Sequence, residues 1–236
     1  MPRLVVLDTE TTGLNARLGD RVVEIGCVEI LERRIGEQHY HAYVNPEREI
    51  DAGASRVHGL SHEDLKDKPK FHDIAREFLD FIRGAELVIH NAAFDVEFLD
   101  MELARAKLGT LAQHAAKVTD SLAMARELHP GRKNSLDALC ERYFVDHSNR
   151  TLHGALLDAR LLAECYLAMT RGQESLVMEL ETPAASAAAL AALQVEVSNL
   201  AVLRATPDEA AAHEKYLDRI EKDTRAPSLW RKLAAS

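Results

Sequence analysis

RLVVLDTETTGL (residues 3–14) brings two acids, Asp8 and Glu10, directly behind an apolar run. The Val- and Leu-rich start predicts a buried β-strand, whose successive side chains point to opposite faces of a sheet. Because Asp8 and Glu10 are two positions apart, they share a face at the end of this strand. Two carboxylates on one face suit a hard divalent cation such as Mg²⁺ or Mn²⁺. Two solvated acids at a strand end are the alternative for this motif taken alone.

The order of the remaining segments predicts an α/β layer structure around a mixed sheet. Short β-branched and aromatic segments predict an antiparallel meander of three strands, at residues 3–10, 21–32 and 39–46. Residues 56–65 are expected to form a loop, within which Ser61 and Asp64 resemble a capping box and start a short helix. Further along, the periodicity predicts helices over 71–85, 92–108, 134–144 and 151–170, a strand over 86–91 and at most a short strand over 117–122.

Composition divides the chain into three parts. Residues 1–170 carry the strand and helix patterns and form the predicted core domain. Residues 171–189 contain Gly, Pro, Ser and an Ala-rich stretch, which predicts a linker. Residues 190–236 form a helical or flexible tail, with a helix that starts near Thr206 and Pro207.

Charge and cysteine usage restrict the partners and the compartment. A net charge of −9 over 236 residues opposes unaided binding to duplex nucleic acid, so cations or another subunit have to supply the positive charge. The three cysteines show no paired spacing, which indicates reduced, buried thiols in a cytosolic protein. We expect a cytoplasmic protein without a signal peptide or a membrane helix.

Two later segments carry further candidates for the same site. Asp95 lies in the first turn of a helix that follows a buried strand. His153 and Asp158 are five residues apart, which is about 500° on one helix, so they would not share a helical face. If both reach one site, His153 lies in the loop or first turn that enters the helix of Asp158. A loop histidine suits proton transfer.

LDTETTG, HNAAFD and HGALLDA, in this order and at these separations, resemble the motifs of the DEDDh family of 3′→5′ exonucleases. The resemblance covers residues 3–170 and implies a ribonuclease H-like fold, a mixed sheet with flanking helices. It implies that two divalent ions (Mg²⁺ or Mn²⁺) are held by four acids, with a histidine as the general base. By position these residues are Asp8, Glu10, Asp95 and Asp158 for the metals and His153 for the base. The implied reaction releases nucleoside 5′-monophosphates from a 3′ end.

The resemblance also implies residues that contact the terminal nucleotide. They are Thr9, Thr11, Thr12, Gly13 and Leu14 at the rim, with His58 and Asn91. An ordinary strand-to-loop turn is the alternative for the rim, a structural histidine for His58 and a helix cap, which we favour, for Asn91. Arg132 and Lys133 are either phosphate contacts or a solvated surface pair.

The members it most resembles are proofreading subunits of bacterial replicative DNA polymerases. That implies a single-stranded or frayed DNA 3′ end as substrate, and a tail that docks on the polymerase (alpha) subunit with Trp230 as an anchor. Gln173, Leu176 and Met178 resemble a motif that binds the sliding clamp (beta), with an ordinary linker as the alternative. Some relatives bind a small theta-like subunit, which this sequence neither predicts nor excludes. An RNA-trimming exoribonuclease and an inactive replicase scaffold are the competing functions.

Overall fold

Five strands and eight α-helices are described in the computed structural model of the chain, which describes residues 3–148, 150, 152–171, 205–224, 226, 228 and 230–231. The strands are β1 (Leu4–Thr11), β2 (Val22–Leu31), β3 (Arg34–Tyr43), β4 (Glu86–Ile89) and β5 (Lys117–Asp120). The helices are α1 (Ala52–His58), α2 (His62–Leu65), α3 (Phe71–Ile82), α4 (Ala92–Arg105), α5 (Ser121–Leu128), α6 (Leu136–Tyr143), α7 (Ala155–Met169) and α8 (Pro207–Thr224).

The strands form one mixed sheet in the order β3-β2-β1-β4-β5. β1 pairs antiparallel with β2 and parallel with β4, while β2–β3 is antiparallel and β4–β5 is parallel. The predicted meander and the mixed sheet are therefore confirmed. β1 lies in the middle because Val5, Val6 and Leu7 are fully buried and need cover on both faces.

Helices cover both faces of the sheet. On one face, Leu7 and Ile25 pack in a cluster with Phe71, Phe78 and Phe98 from α3 and α4. On the other face, α7 packs its Ala159, Leu162 and Ala163 against Val6, Val28 and Val88. The alternation of β1 side chains between these two clusters is the period-2 pattern of a strand buried on both sides.

Gly26 sets how close α7 comes to the sheet. It pairs with Asp8 across the β1–β2 ladder. A Cβ atom at this position would lie 2.2 Å from backbone atoms of Ala155 and Leu156. Only a glycine allows the first turn of α7 to approach β2 at the level of Asp8.

Three local predictions were wrong or incomplete. Helix α1, for which no prediction was made, extends into the loop predicted over 56–65, and its last residue, His58, is buried. β3 begins at Arg34 rather than near residue 39, since the hairpin turns at Glu32 and Arg33, both with positive φ. Helix α5 was not predicted, although Asp120 caps it by accepting hydrogen bonds from two backbone N–H groups. The capping box of Ser61 and Asp64 is confirmed.

The three cysteines are buried and free, as predicted. Two of them, Cys140 on α6 and Cys165 on α7, have their sulfur atoms 3.7 Å apart. This proximity was not visible from their separation in the sequence.

The chain divides into two units between Glu179 and Leu180. In the second unit, α8 begins beside Thr206, whose hydroxyl exchanges hydrogen bonds with Glu209, in agreement with the predicted helix start. Arg231 pairs with three acids of α8, namely Glu214, Asp218 and Glu221. Across the described ranges, no helix combines the length and the apolar character that a membrane crossing requires.

The linker and clamp predictions concern residues outside the described part of the chain. Gln173, Leu176 and Met178 lie outside the described residues, as does the rest of 172–204. The predicted domain borders within that range stay predictions.

Candidate active site

One polar cleft of about 670 Å³ collects the predicted site residues. Its lining includes Asp8, Glu10, Asp95, His153 and Asp158. They come together because β1 and β4 are parallel, so the end of β1 and the start of α4 meet at one edge of the sheet. The approach of α7 at Gly26 adds Asp158 to the same edge. The predicted convergence of three remote segments is therefore found in the fold.

The strand acids lie in an environment that opposes their ionisation. Burial, and then the charges of Asp95, Asp158 and Glu10, raise the pKa of Asp8 well above its usual range. Burial, and then the charges of Asp158 and Glu24, raise the pKa of Glu10 to about 8. Glu24 lies directly opposite Glu10 in the β1–β2 ladder. A cluster of this kind gains most from a bound cation.

Asp95 is held by the neighbouring strand. The Thr9 backbone N–H and hydroxyl both donate to Asp95 Oδ1, at 3.1 and 2.7 Å. Burial raises the pKa of Asp95 to about 7, while these hydrogen bonds act in the opposite direction. Thr9 lines the cleft as predicted, but its hydroxyl orients a carboxylate instead of facing a substrate.

His153 precedes α7, as the spacing argument required, because the helix predicted over 151–170 begins only at Ala155. Asp158 lies in the first turn of that helix. The His153 backbone N–H donates to the Val57 carbonyl at 3.0 Å, which ties this loop to α1. The ring is partly exposed, and its Nδ1 lies 3.4 Å from Asp158 Oδ2. Ligand atoms of Glu10, His153 and Asp158 all lie within 4.8 Å of one another.

Arg150 is a site residue that sequence reasoning missed. Its guanidinium donates from Nε and Nη2 to the two oxygens of Asp158, both at 2.6 Å. Its side chain is only 7% exposed, whereas an arginine in a polar loop is ordinarily expected in solvent. The only signal in the sequence was its place three residues before His153. The buried guanidinium shows that the acids of the cleft hold a positive charge. Their oxygen atoms are also the ligands that divalent ions such as Mg²⁺ prefer.

An apolar pocket of about 470 Å³ adjoins the cleft. Thr9, Glu10 and Phe94 line both spaces. The predicted rim residues Gly13 and Leu14 line the apolar pocket, and Leu14 is 86% exposed.

His58 is a buried wall of this apolar pocket. Its Nδ1 accepts a hydrogen bond from the Leu60 N–H at 3.0 Å, and burial lowers its pKa. Its Nε2 makes no hydrogen bond of normal geometry within the part of the chain that the structure describes, although an interaction with the Thr11 backbone acts to raise the pKa of the ring. A buried polar atom of this kind calls for a partner, which a ligand in the pocket can supply.

Thr11 and Thr12 stabilise the turn after β1. The Thr11 hydroxyl donates to the Gly13 carbonyl at 2.6 Å, and the Thr12 hydroxyl donates to Asp20 at 3.1 Å. These hydrogen bonds stabilise the turn, and Thr11 also lines the apolar pocket, as predicted for the rim.

Asn91 lies at the N-terminus of α4 in a left-handed conformation, with φ of 64°, and its side chain makes no cap hydrogen bond. It nevertheless occupies the N-cap position, which is the favoured role, and its carbonyl accepts a hydrogen bond from the Phe94 N–H at 3.0 Å. Its backbone N–H donates to Asp120, and the residue lines the cleft. Arg132 also lines the cleft, whereas Lys133 is not part of the described lining.

Comparisons with known proteins agree with this geometry. A family model described as Exonuclease matches residues 5–166, more than half of the chain. The chain is 49% identical over 237 residues to the DNA polymerase III subunit epsilon of Escherichia coli K12, covering 97% of both chains. It is 44% identical to the DNA polymerase III subunit epsilon of Haemophilus influenzae, covering 98% of this chain and 95% of that protein.

Solved structures give the same fold. Exonuclease X in complex with 5′ overhanging duplex DNA matches with a TM-score of 0.58 at 26% identity, covering 72% of this chain and 92% of that one. Exonuclease I of E. coli in complex with a dT13 oligonucleotide matches with a TM-score of 0.65 at 18% identity, covering 81% of this chain and 46% of that one. On the fold, the motifs and these relatives, the chain belongs to the exonuclease family and, within it, to the group of DNA polymerase III epsilon subunits.

Proposed function

We propose that this chain is the proofreading 3′→5′ exonuclease of a bacterial replicative DNA polymerase, which removes mispaired 3′-terminal nucleotides. The observation that carries the proposal is the convergence of four carboxylates and His153 in one cleft beside an apolar pocket. The names of relatives at 42–49% identity over most of the chain support the replicative context.

The donor set supports two divalent ions, Mg²⁺ or Mn²⁺. Asp8, Glu10, Asp95 and Asp158 would hold them. When bound, such ions would supply positive charge that offsets the acids and the charge that develops on the phosphate. Burial is the main cause of the raised pKa values of Asp8, Glu10 and Asp95, and neighbouring acids add to it, so a bound cation would favour the ionised form of each carboxylate.

Different residues of the chain accept the proton and position the metal ligands. His153 is placed to accept a proton from the attacking water, because its ring is partly exposed at the cleft and sits on a loop. Thr9 fixes Asp95, and the close approach at Gly26 fixes Asp158. The 3′ oxygen of the penultimate nucleotide leaves, and the product is a nucleoside 5′-monophosphate.

The apolar pocket suits the terminal nucleoside. Phe94 and Leu14 offer apolar surface to a sugar and base, and His58 offers an unsatisfied polar atom. A mispaired end unstacks at lower cost than a paired one, so it enters such a pocket more often. The net charge of −9 supports the view that a partner supplies most phosphate contacts.

The partners are the polymerase alpha subunit, through the tail that includes Trp230, and the sliding clamp, through Gln173, Leu176 and Met178. In α8 and the residues after it, Tyr216 and Trp230 are exposed apolar side chains, which supports a docking role. A theta-like subunit on the nuclease unit stays an open prediction.

The test compares three substrates under Mg²⁺ and Mn²⁺: a primer with a 3′ mismatch, the same primer fully paired, and a short RNA. We expect the mismatched DNA to be degraded fastest and nucleoside 5′-monophosphates to accumulate. The double variant Asp8→Ala with Glu10→Ala is the control for contaminating nucleases. Faster cleavage of RNA than of mismatched DNA would favour the RNA-trimming alternative, and a preparation as active with the double variant would refute the site.

A further inference from the structure

Arg150 makes an unusual set of contacts inside the active-site cleft. Beyond its paired hydrogen bonds to Asp158, its Nη1 donates to Asp137 Oδ1 at 2.5 Å and its Nη2 lies 3.0 Å from His153 Nδ1. Asp137 is about half exposed, whereas Asp158 is buried. One guanidinium therefore joins a proposed metal ligand, the proposed base and an acid at the edge of the cleft.

The contact with Asp158 conflicts with metal ligation. Both oxygens of Asp158 accept hydrogen bonds from the same fork, at 2.6 Å each. A divalent ion held by Asp158 needs lone pairs on these oxygens and would stand close to the guanidinium. A divalent ion and a guanidinium that lie so close together repel strongly in a buried site. Arg150 and the metal ions are therefore alternative partners of one carboxylate.

The contact with His153 conflicts with proton transfer. A guanidinium has only donors, so Nδ1 must accept, and the neutral ring then carries its proton on Nε2. With Nδ1 engaged and Nε2 protonated, neither ring nitrogen can take a proton from water. Asp158 Oδ2, at 3.4 Å, is the acceptor that Nδ1–H would use once Arg150 has moved away.

We propose that Arg150 is an internal counter-ion that divalent ions displace, and that its displacement frees Asp158 for ligation and His153 for proton transfer. The inference rests on the proposed function, because it takes the acids as metal ligands. Asp137 lies on the exposed side of the cleft and remains as a partner for the displaced guanidinium. Metal loading and activation of the base thereby become one event.

The first experiment measures Mn²⁺ binding by calorimetry at pH 8 in the full chain and in Arg150→Gln. Arg150→Gln should bind Mn²⁺ about tenfold more tightly, because the substitution removes a charge-assisted hydrogen bond to Asp158 from the metal-free state only. Arg150→Lys keeps the charge without the fork, and we expect a smaller gain. Arg126→Gln removes an arginine that lines the same cleft and should leave the affinity nearly unchanged.

Thermal unfolding supplies a second readout. In EDTA, Arg150→Gln should melt several degrees below the unaltered chain, because Asp158 loses its buried partner. Saturating Mn²⁺ should close that gap, since the ions replace the guanidinium. If Arg150→Gln is too unstable in EDTA to titrate, Arg150→Lys carries the binding test.

Nitrogen NMR of the His153 ring reports the tautomer directly. We expect the Nε2–H form in EDTA and a shift toward the Nδ1–H form with Mg²⁺, and Arg150→Gln should show that shift in EDTA alone. Equal or weaker Mn²⁺ binding by Arg150→Gln and Arg150→Lys, or a melting gap that Mn²⁺ does not close, would overturn the proposal. If the unaltered chain binds no Mn²⁺, the metal assignment of the proposed function fails as well.

Discussion

Substitution of Gly26 by alanine tests whether the packing of α7 controls the active site. The added Cβ would lie 2.2 Å from the Ala155 carbonyl carbon and the Leu156 nitrogen and 2.4 Å from the Ala155 oxygen, where ordinary contact begins at 3.4 Å. All three atoms are backbone, so no side-chain rotation relieves the clash. The first turn of α7 has to move by about 1 Å, because close-packed interiors absorb little of such a change.

The shift reaches the chemistry through Asp158, which lies in that first turn. A displacement of about 1 Å in a catalytic constellation lowers turnover by about 100-fold. Overpacking of this kind costs about 1–3 kcal/mol of stability, and each kcal/mol corresponds to about 2–4 °C in melting temperature for a unit of this size. The protein should therefore still fold at 25 °C while its activity falls steeply.

The assay is single-turnover hydrolysis of a 3′-mismatched primer, together with melting temperature. Gly36→Ala is the matched control, since it also adds a methyl group to a strand of the same sheet but its nearest neighbours lie at 3.5 Å. We expect the control to retain activity and stability. A Gly26→Ala variant with a lowered melting temperature but full turnover would show that the position of α7 does not govern the site.

Four further predictions follow from the same geometry. In EDTA, Glu10 of the folded chain keeps its proton between pH about 4.5 and about 8, whereas the unfolded chain releases it, so stability should fall as pH rises through this window. Glu10→Gln should reduce the slope of melting temperature against pH. A slope that the variant leaves unchanged would contradict the raised pKa. His153→Ala should lower turnover by about 10²–10⁴-fold with little change in Mn²⁺ affinity, whereas a comparable loss of affinity would make it a ligand. Phe94→Ala should raise KM for a primer end more than it lowers kcat, because the Phe94 ring lines both the polar cleft and the apolar pocket. An effect on kcat alone would exclude a binding role for Phe94. A chain ended after Arg171 should keep hydrolysis of single-stranded DNA but lose co-purification with the polymerase subunit, and retained association would refute the tail assignment.

Local patterns were sufficient for most of the fold and for the identity of the acids. Period-2 alternation placed Asp8 and Glu10 on one face of β1, and helical periodicity placed Asp95 in the first turn of α4 and Asp158 on α7. The spacing argument also separated His153 from the helix of Asp158. These features depend on residues that are close in the sequence, where steric rules and side-chain periods act directly.

Features that depend on remote neighbours were missed. Asn91 occupies the N-cap position of α4 as expected, but its left-handed backbone and the hydrogen bond from its N–H to Asp120 of the adjoining strand were not predicted. Arg150 belongs to a polar segment that is typical of a surface loop, yet its side chain is buried against Asp158. Neither outcome is encoded in a local pattern, because each is decided by which segment lies across from it.

The amino-acid sequence alone determined which carboxylates and which histidine this protein offers, since their chemistry and their strand and helix positions are local properties. Only the tertiary structure decided how they are arranged. The parallel pairing of β1 with β4 and the contact of α7 with Gly26 bring the acids to one edge of the sheet. At that edge, the mutual repulsion of the buried charges favours a cation among them, and the fold supplies the guanidinium of Arg150.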